Sequence, residues 1–550
     1  MDSGQSLGQV TCHVDGSVSR WRNDPPALGR KVSLRKRQRK GVWRRPGAAS
    51  SDRLRSRTPG LPSARPRRDL TYFGFLLLLL FVIYNSNFRT ISTFDTFPAR
   101  LLPFSLLLDH SLYLDQWIEP YHARSPGEDF YFVVNSHGHW MSMYPIITPV
   151  VVTPLYVLPA WWLSRQLPPL YPYSFDFVVI ANTMEKLSAS LIAAMSGAVL
   201  FLAFRKIASR NVSLAVALIY GLASNTWAIS SQALWRQGLT ELSFAFLLWA
   251  LFRVPGSTSA PFWAGLALAV ATANKPLEAI LIMPFLLYFG CGQWKKLLLF
   301  LTPLAALGSL VLAYNLYFFA RLLGGFGVRT LGMGGSGRIT LLAPLAVGLP
   351  GSLVGAYPAP PLAAGGSGHI TRLARIGVGL AGSLVSPSRG LLVYSPWVAF
   401  AFWGAARLWK EKSFAWSRPL IVALAAMFMV QVGWQEWWGG WCFGPRYLTE
   451  LLPFFAWFLV PVWASIRARP VLRVAFAATV AIALWVQVVG AFYYTVGNWD
   501  RRPVNVPFEQ RAWDWSDNQL LSNWKAGPAQ PLLLKEWERL LQPRSGVPQP

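Results

Sequence analysis

Four cations stand where apolar runs of this sequence begin or end. They are Arg236 in Leu234-Trp235-Arg236-Gln237-Gly238, Lys275 in Asn274-Lys275-Pro276, Arg389 in Ser386-Pro387-Ser388-Arg389-Gly390, and Arg446 in Gly444-Pro445-Arg446-Tyr447-Leu448. A guanidinium offers two parallel N–H donors that match phosphate oxygens, and an ammonium adds a point charge. Glycines near Arg446 (Gly439, Gly440, Gly444) let backbone approach a ligand closely. Taken singly, each cation reads as a side chain snorkelling toward lipid headgroups. Four at one face, opposite a carboxylate, read as a phosphate-handling site. That carboxylate is Asp95, in Phe94-Asp95-Thr96-Phe97-Pro98. It could take a proton from a reacting hydroxyl. The competing reading makes Asp95 and Thr96 caps of a helix whose first turn holds Pro98.

Other chemistry is weaker. His137 and His139 would share one side of an extended strand, but only Glu128 and Asp129 stand near them, so no metal site is expected. Asp109 and Asp115 read first as residues of a solvated face. The three cysteines, Cys12, Cys291 and Cys442, are too scattered for a disulfide framework or a zinc site. No Walker loop, GxSxG elbow or HExxH string occurs, which leaves nucleotide-driven transport and the common hydrolases without support.

The elements that must position these residues follow from composition. Of 550 residues, 53% are hydrophobic and 14% charged, with 27 Trp. Mean hydropathy is +0.34. That is the composition of a polytopic membrane protein, with aromatic residues gathered at lipid–water interfaces. A bilayer core takes about 20 apolar residues per helix. Runs near 70–88, 178–204, 211–229, 233–252, 259–274, 276–292, 296–320, 390–408, 418–434, 448–466 and 471–495 predict about 11 transmembrane helices. The stretch 145–165 carries four prolines and is expected to be re-entrant or interfacial, not a span. Residues 101–117 look like a juxtamembrane, interfacial segment on the outer face.

Basic clusters at 205–210, 253, 295–296, 407–418 and 467–473 fall at alternate boundaries. The positive-inside rule makes these cytoplasmic, together with the N-terminus. The outer face then holds 89–177, the loop 321–389, the loop 435–447 and a C-terminal tail, 496–550. The whole transmembrane domain is 70–495. Residues 1–70 contain 17 Lys/Arg against 5 Asp/Glu within a total net charge of +27. Residues 1–69 are expected to form a disordered cytoplasmic tail that touches anionic lipid and not nucleic acid, or to precede the true start. They lack a signal-peptide cleavage site.

The loop 321–389 contains a direct repeat. Gly334–Val354 (GGSGRITLLAPLAVGLPGSLV) matches Gly365–Val385 (GGSGHITRLARIGVGLAGSLV), 31 residues on. Two copies make no solenoid. The expected origin is a local duplication, with the second copy in the original position because it alone leads into Ser386–Gly390.

In this order, Asp95, Tyr144-Pro145, Met184-Glu185-Lys186, Ser231-Gln232-Ala233-Leu234-Trp235, Tyr314-Asn315-Leu316-Tyr317, Ser386–Gly390 and Gly440–Leu448 make residues 70–500 resemble the GT-C superfamily of membrane glycosyltransferases. The nearest likeness is to bacterial relatives of protein O-mannosyltransferases and aminoarabinose transferases. Gln237 and Lys275 depart from that pattern, which has His and Arg there. The resemblance implies an all-α, GT-C-like bundle in the bacterial inner membrane, with juxtamembrane helices and a cavity for a polyprenyl-phosphate sugar on the extracytoplasmic side. It implies transfer of that sugar to a glycan, lipid or protein acceptor, without a cofactor or an obligate protein partner. The residue chemistry agrees: Asp95 would act as base, Arg236, Lys275, Arg389 and Arg446 would hold the phosphate, and Arg100, Asp115, Glu185, Gln237 and Tyr447 would line the cavity. The runner-up is a lipid-linked oligosaccharide flippase or other transporter. Against it, no two related halves occur, and the polar groups gather at one face. A glycan polymerase or ligase is a close enzymatic neighbour, and intact Asp95 argues against an inactive scaffold.

Overall fold

A run of apolar residues becomes a helix in lipid because every backbone N–H and C=O must find its partner within the segment. The computed structural model of the chain describes residues 66–124, 130–166, 174–326, 368–411, 414–433, 436–501 and 506–542, and these are mostly helical. In chain order the main helices are α1 (Pro66–Asn85), α2 (Phe97–Leu108), α3 (Asp115–Arg124), α4 (Ile147–Ser164), α5 (Phe175–Phe204), α6 (Arg210–Leu222), α7 (Arg236–Leu251) and α8 (Ala260–Asn274). They continue with α9 (Met283–Gly290), α10 (Trp294–Phe319), α11 (Gly368–Val385), α12 (Val398–Lys410), α13 (Ser417–Val432), α14 (Leu452–Leu459), α15 (Pro470–Val488), α16 (Gln519–Ala526) and α17 (Leu532–Leu541). One antiparallel hairpin, β1 (Val133–Ser136) and β2 (His139–Ser142), is added to this all-α plan.

Among the described residues, six helices are long and apolar enough to cross a membrane: Arg67–Asn85, Ile147–Ser164, Phe175–Phe204, Trp294–Phe319, Arg446–Ala468 and Pro470–Tyr493. That is the character of an all-α membrane protein. The other apolar runs form shorter helices, among them α6, α8 and α13, so eleven full spans are not established.

Residues 145–165 depart from expectation. They form the continuous 18-residue helix α4, with Pro154 and Pro159 inside it. Pro149 lies in the first turn, where no N–H is needed. Its carbonyl accepts the Thr153 hydroxyl at 2.8 Å. Thr148, Val152, Tyr156, Ala160 and Leu163 share the buried face, and Val151, Leu158 and Trp161 are exposed.

The axis of the bundle is α5. Its 30 residues rise about 45 Å, more than the ~30 Å of a hydrocarbon core. Helix α1 runs antiparallel to it. At one end Asp69 binds Arg205 (3.1 Å) and Arg210 (3.2 Å). At the other, Thr90 donates to the Asn182 carbonyl and Ser190 to Asn85. Asp69 therefore belongs to helix α1, and residues 1–65 lie outside the described residues.

The C-terminal region is folded against the bundle. Trp537 of α17 donates to Thr183 of α5 at 2.8 Å, and Leu533 N bonds the Phe88 carbonyl. The second copy of the repeat forms α11 and not a loop; the first copy lies outside the described residues. A Cβ on Gly379 would collide with the Val432 carbonyl, and one on Gly382 with the Trp437 ring, so these glycines let α11 sit close against α13.

Candidate functional site

A short 3₁₀ turn, Phe94–Thr96, follows α1. Its cap is Thr93, whose hydroxyl accepts from Asp95 N at 3.3 Å. The capping reading of Asp95 therefore fails, and its side chain is directed elsewhere. Arg446 Nη1 donates to Asp95 Oδ2 at 2.5 Å, and the Tyr144 hydroxyl donates to Asp95 Oδ1 at 2.6 Å. Both oxygens of the carboxylate are engaged, with no room for a ligand between it and Arg446.

Arg446 opens a 3₁₀ helix, Arg446–Leu451. Its guanidinium lies 4.5 Å from the Trp235 ring centre and 5.3 Å from that of Tyr447. Gly439, with φ of +78°, passes against its side chain; a Cβ there would stand 3.6 Å from Arg446 Cβ. Arg236 is the first residue of α7. It stacks over Tyr144 at 4.7 Å and Phe326 at 5.5 Å. Among the described residues its guanidinium has no hydrogen-bond acceptor and no carboxylate within ion-pair distance, though its charge acts on Asp95. One cation is thus neutralised and the second has no hydrogen-bond acceptor among the described residues, and both lie near the start of α7.

Electrostatics follow the contacts. Burial alone would raise the Asp95 carboxyl, but Arg446, the Tyr144 hydroxyl and Arg236 together hold it below its ordinary range. Burial and the Asp95 charge push the Tyr144 hydroxyl well up. Glu436, in the turn before Gly439, is raised by burial against the opposing pull of Arg446.

A second layer lies below. Arg100 donates to Asn182 Oδ1 at 2.6 Å and faces Glu185 Oε2 at 3.7 Å. Glu185, fully buried, accepts the Leu234 N–H at 3.3 Å and so fixes the chain leading into Trp235 and Arg236. Gln237 follows Arg236 and is 5% exposed, with no side-chain hydrogen bond among the described residues.

Two expected phosphate ligands are not part of this group. Arg389 is 1% exposed. It donates to Gln519 Oε1 (2.7 Å), to the Trp438, Ser388 and Gly440 carbonyls and to Asp500 Oδ1 (3.2 Å). Every N–H is committed, and it acts as a bolt between the 386–390 turn, the 438–440 loop and the C-terminal region. Lys275 binds Glu450 and faces Glu278 Oε1 at 3.8 Å. Asp115 is also diverted, to His139 Nδ1 (2.7 Å) and Trp140 N (2.5 Å) of the hairpin. His137 occupies the hairpin turn with φ of +53°, so the two histidines do not share a strand. Glu128 and Asp129 lie outside the described residues, among which no cluster of three His, Cys, Asp or Glu could hold a metal.

Tyr144 also lines an apolar groove of about 290 Å³. Ile147 of α4, Ala269 of α8, Ile282, and Val311 and Phe319 of α10 line it. The sequence did not single out Tyr144 or Trp235 as site residues. The signal available was an aromatic residue shortly before a helix, Tyr144 three residues ahead of α4 and Trp235 directly ahead of α7. No protein-family model and no curated protein sequence matches the chain.

Proposed function

We propose that the protein is a GT-C-like glycosyltransferase of the bacterial inner membrane, taking its sugar from a polyprenyl-phosphate donor on the extracytoplasmic side. One observation carries this reading: Tyr144, which lines an apolar groove, bonds the carboxylate of the Arg446–Asp95 pair and lies under the guanidinium of Arg236, which has no hydrogen-bond acceptor among the described residues. A donor of this class has a long apolar chain, a single phosphate and a sugar. The groove suits the chain, and the two guanidiniums suit the phosphate. In this reading Arg389 and Lys275 leave the phosphate set, and Arg236 and Arg446 remain.

The chemistry is one displacement. The acceptor oxygen attacks the anomeric carbon, the bond from that carbon to the phosphate oxygen breaks, and the electron pair leaves with the polyprenyl phosphate. Arg236 and Arg446 hold the growing negative charge. The acceptor proton passes to Asp95. As found, Asp95 is a poor base, because Arg446 and Tyr144 occupy it. An incoming phosphate competes for Arg446 and draws it off Asp95, so donor binding itself releases the base.

Deletion of the gene, followed by analysis of lipid-linked sugars, tests the reading. A polyprenyl-phosphate sugar should accumulate, and purified protein should transfer that sugar to an acceptor in detergent. Accumulation without any transfer, together with movement of the intact donor across proteoliposomes, would replace the transferase by a flippase.

A further inference from the structure

Lys275 lies in a buried cluster that the transfer chemistry leaves unused. The extended residue after α8 carries Lys275, the 3₁₀ helix Pro276–Ile282 carries Glu278, α13 carries Gln431, and the 3₁₀ helix Arg446–Leu451 carries Glu450. Glu278 and Glu450 are fully buried, and Gln431 is 5% exposed. Lys275 Nζ and Gln431 Nε2 both donate to Glu450 Oε1. Lys275 is also the cation that faces Glu278.

The charges do not balance. One ammonium serves two carboxylates, and the next carboxylate, Glu241, is already bonded by the hydroxyls of Tyr220, Thr226 and Ser230. Among the described residues, both oxygens of Glu278 and Oε2 of Glu450 have no hydrogen-bond donor. Yet the two carboxyl groups flank the same ammonium, Lys275 Nζ. Two ionised carboxylates can only accept, so in that state they would repel. A proton on Glu278 removes the surplus charge and supplies the missing donor at the same time. Glu450 then receives Lys275 and Gln431 on one oxygen and Glu278 on the other.

Glu450 and Arg446 ride on the same six-residue 3₁₀ helix, just over one turn apart. Tying Glu450 to three other segments fixes the turn that presents Arg446 to Asp95. We propose that Glu450 is a positioning residue for Arg446, held as a carboxylate between Lys275 and a protonated Glu278. The proton assignment stands independently of the glycosyltransferase reading; the effect on the donor rests on it.

The test uses the full chain in lipid nanodiscs. Infrared spectra of the wild type should contain a protonated-carboxyl stretch that disappears in Glu278→Gln. Glu278→Gln keeps a donor and carries no charge, so it should melt at or above the wild-type temperature. Glu450→Gln strands Lys275 and should melt lower. In the transfer assay Glu450→Gln should raise the donor KM about tenfold, the scale of one charge-assisted hydrogen bond, with a smaller change in kcat. Glu450→Asp, which keeps the charge, should recover part of that loss. The proton assignment is overturned if the infrared band is absent, if Glu278→Gln destabilises as much as Glu450→Gln, or if sodium raises the melting temperature of the wild type but not of Glu278→Gln, which would put a cation in the cluster. The positioning role is overturned if Glu450→Gln leaves KM unchanged. If no transfer occurs in any protein, the infrared and melting results still decide the proton.

Discussion

Arg446 reaches across 351 positions of sequence to bind Asp95, Nη1 to Oδ2 at 2.5 Å, while Tyr144 holds the other carboxylate oxygen. The residue with the right chemistry for a base is thus bonded to the residue with the right chemistry for a phosphate. Each blocks the other until a ligand separates them. This relationship makes the two residues respond differently to substitution.

Asp95→Asn keeps the size of the side chain but cannot take a proton, so turnover should fall by about 10² to 10⁴, the usual scale for a lost general base. Donor KM should stay the same or drop, because Arg446 no longer has to leave a carboxylate. Arg446→Ala removes a contact used in both the ground state and the transition state, so KM should rise and kcat should fall together. Steady-state kinetics on both variants check this. Near-normal turnover in Asp95→Asn would remove Asp95 from the mechanism.

The same pairing sets the dependence on pH. In the free protein Asp95 is held below its ordinary carboxyl range, chiefly by Arg446 acting against burial. A depressed carboxyl stabilises the fold at pH above its unfolded pKa, and that contribution is lost as pH falls through the lower folded value. In the donor complex Arg446 faces a phosphate and a second negative charge lies nearby, so the Asp95 carboxyl rises. The acid limb of kcat, which reports the complex, should therefore lie at higher pH than that of kcat/KM, which reports the free enzyme. Coincident acid limbs in the two profiles would mean that Arg446 stays on Asp95 throughout.

Arg389 should behave as a structural residue. Its removal leaves Asp500 buried without its cation and Gln519 Oε1 without its strongest donor. Breaking such a pair costs about 3–5 kcal/mol. Arg389→Ala should lower the melting temperature sharply, and whatever protein remains folded should bind the donor with wild-type KM. A raised KM at unchanged stability would return Arg389 to the phosphate site.

These contrasts show which parts of the molecule were legible in its sequence. Apolar runs such as 178–204 could be read because lipid enforces helix on each segment locally. Helix α4 could not, because four prolines argue against a helix until the helix start at Ile147, with Pro149 in its first turn, and the burial of Val152 and Tyr156 are known. Asp95, Arg236 and Arg446 could be picked out by charge beside apolar runs. That rule could not separate them from Arg389 and Lys275, whose partners Asp500 and Glu450 lie 111 and 175 positions away. Type and spacing identify the cations, and only tertiary pairing decides which of them stays free.

The duplicated segment gives the last contrast. The second copy is seated as α11, with Gly379 against the Val432 carbonyl and Gly382 against Trp437. The first copy retains glycines at the matching positions, Gly348 and Gly351, but it has Pro350 where the second has Ala381 and Pro344 where the second has Arg375. A proline inside a helix removes a backbone bond and costs about 3 kcal/mol or more. The first copy is therefore a poor substitute for α11. Deleting Gly334–Ala364 joins one complete copy to the Ser386–Gly390 turn and should preserve both melting temperature and activity. Gly379→Leu should destabilise the protein because the added side chain meets backbone, whereas Gly348→Leu should be tolerated. Loss of folding in the deletion, or equal damage from the two leucine variants, would show that the first copy also packs into the bundle.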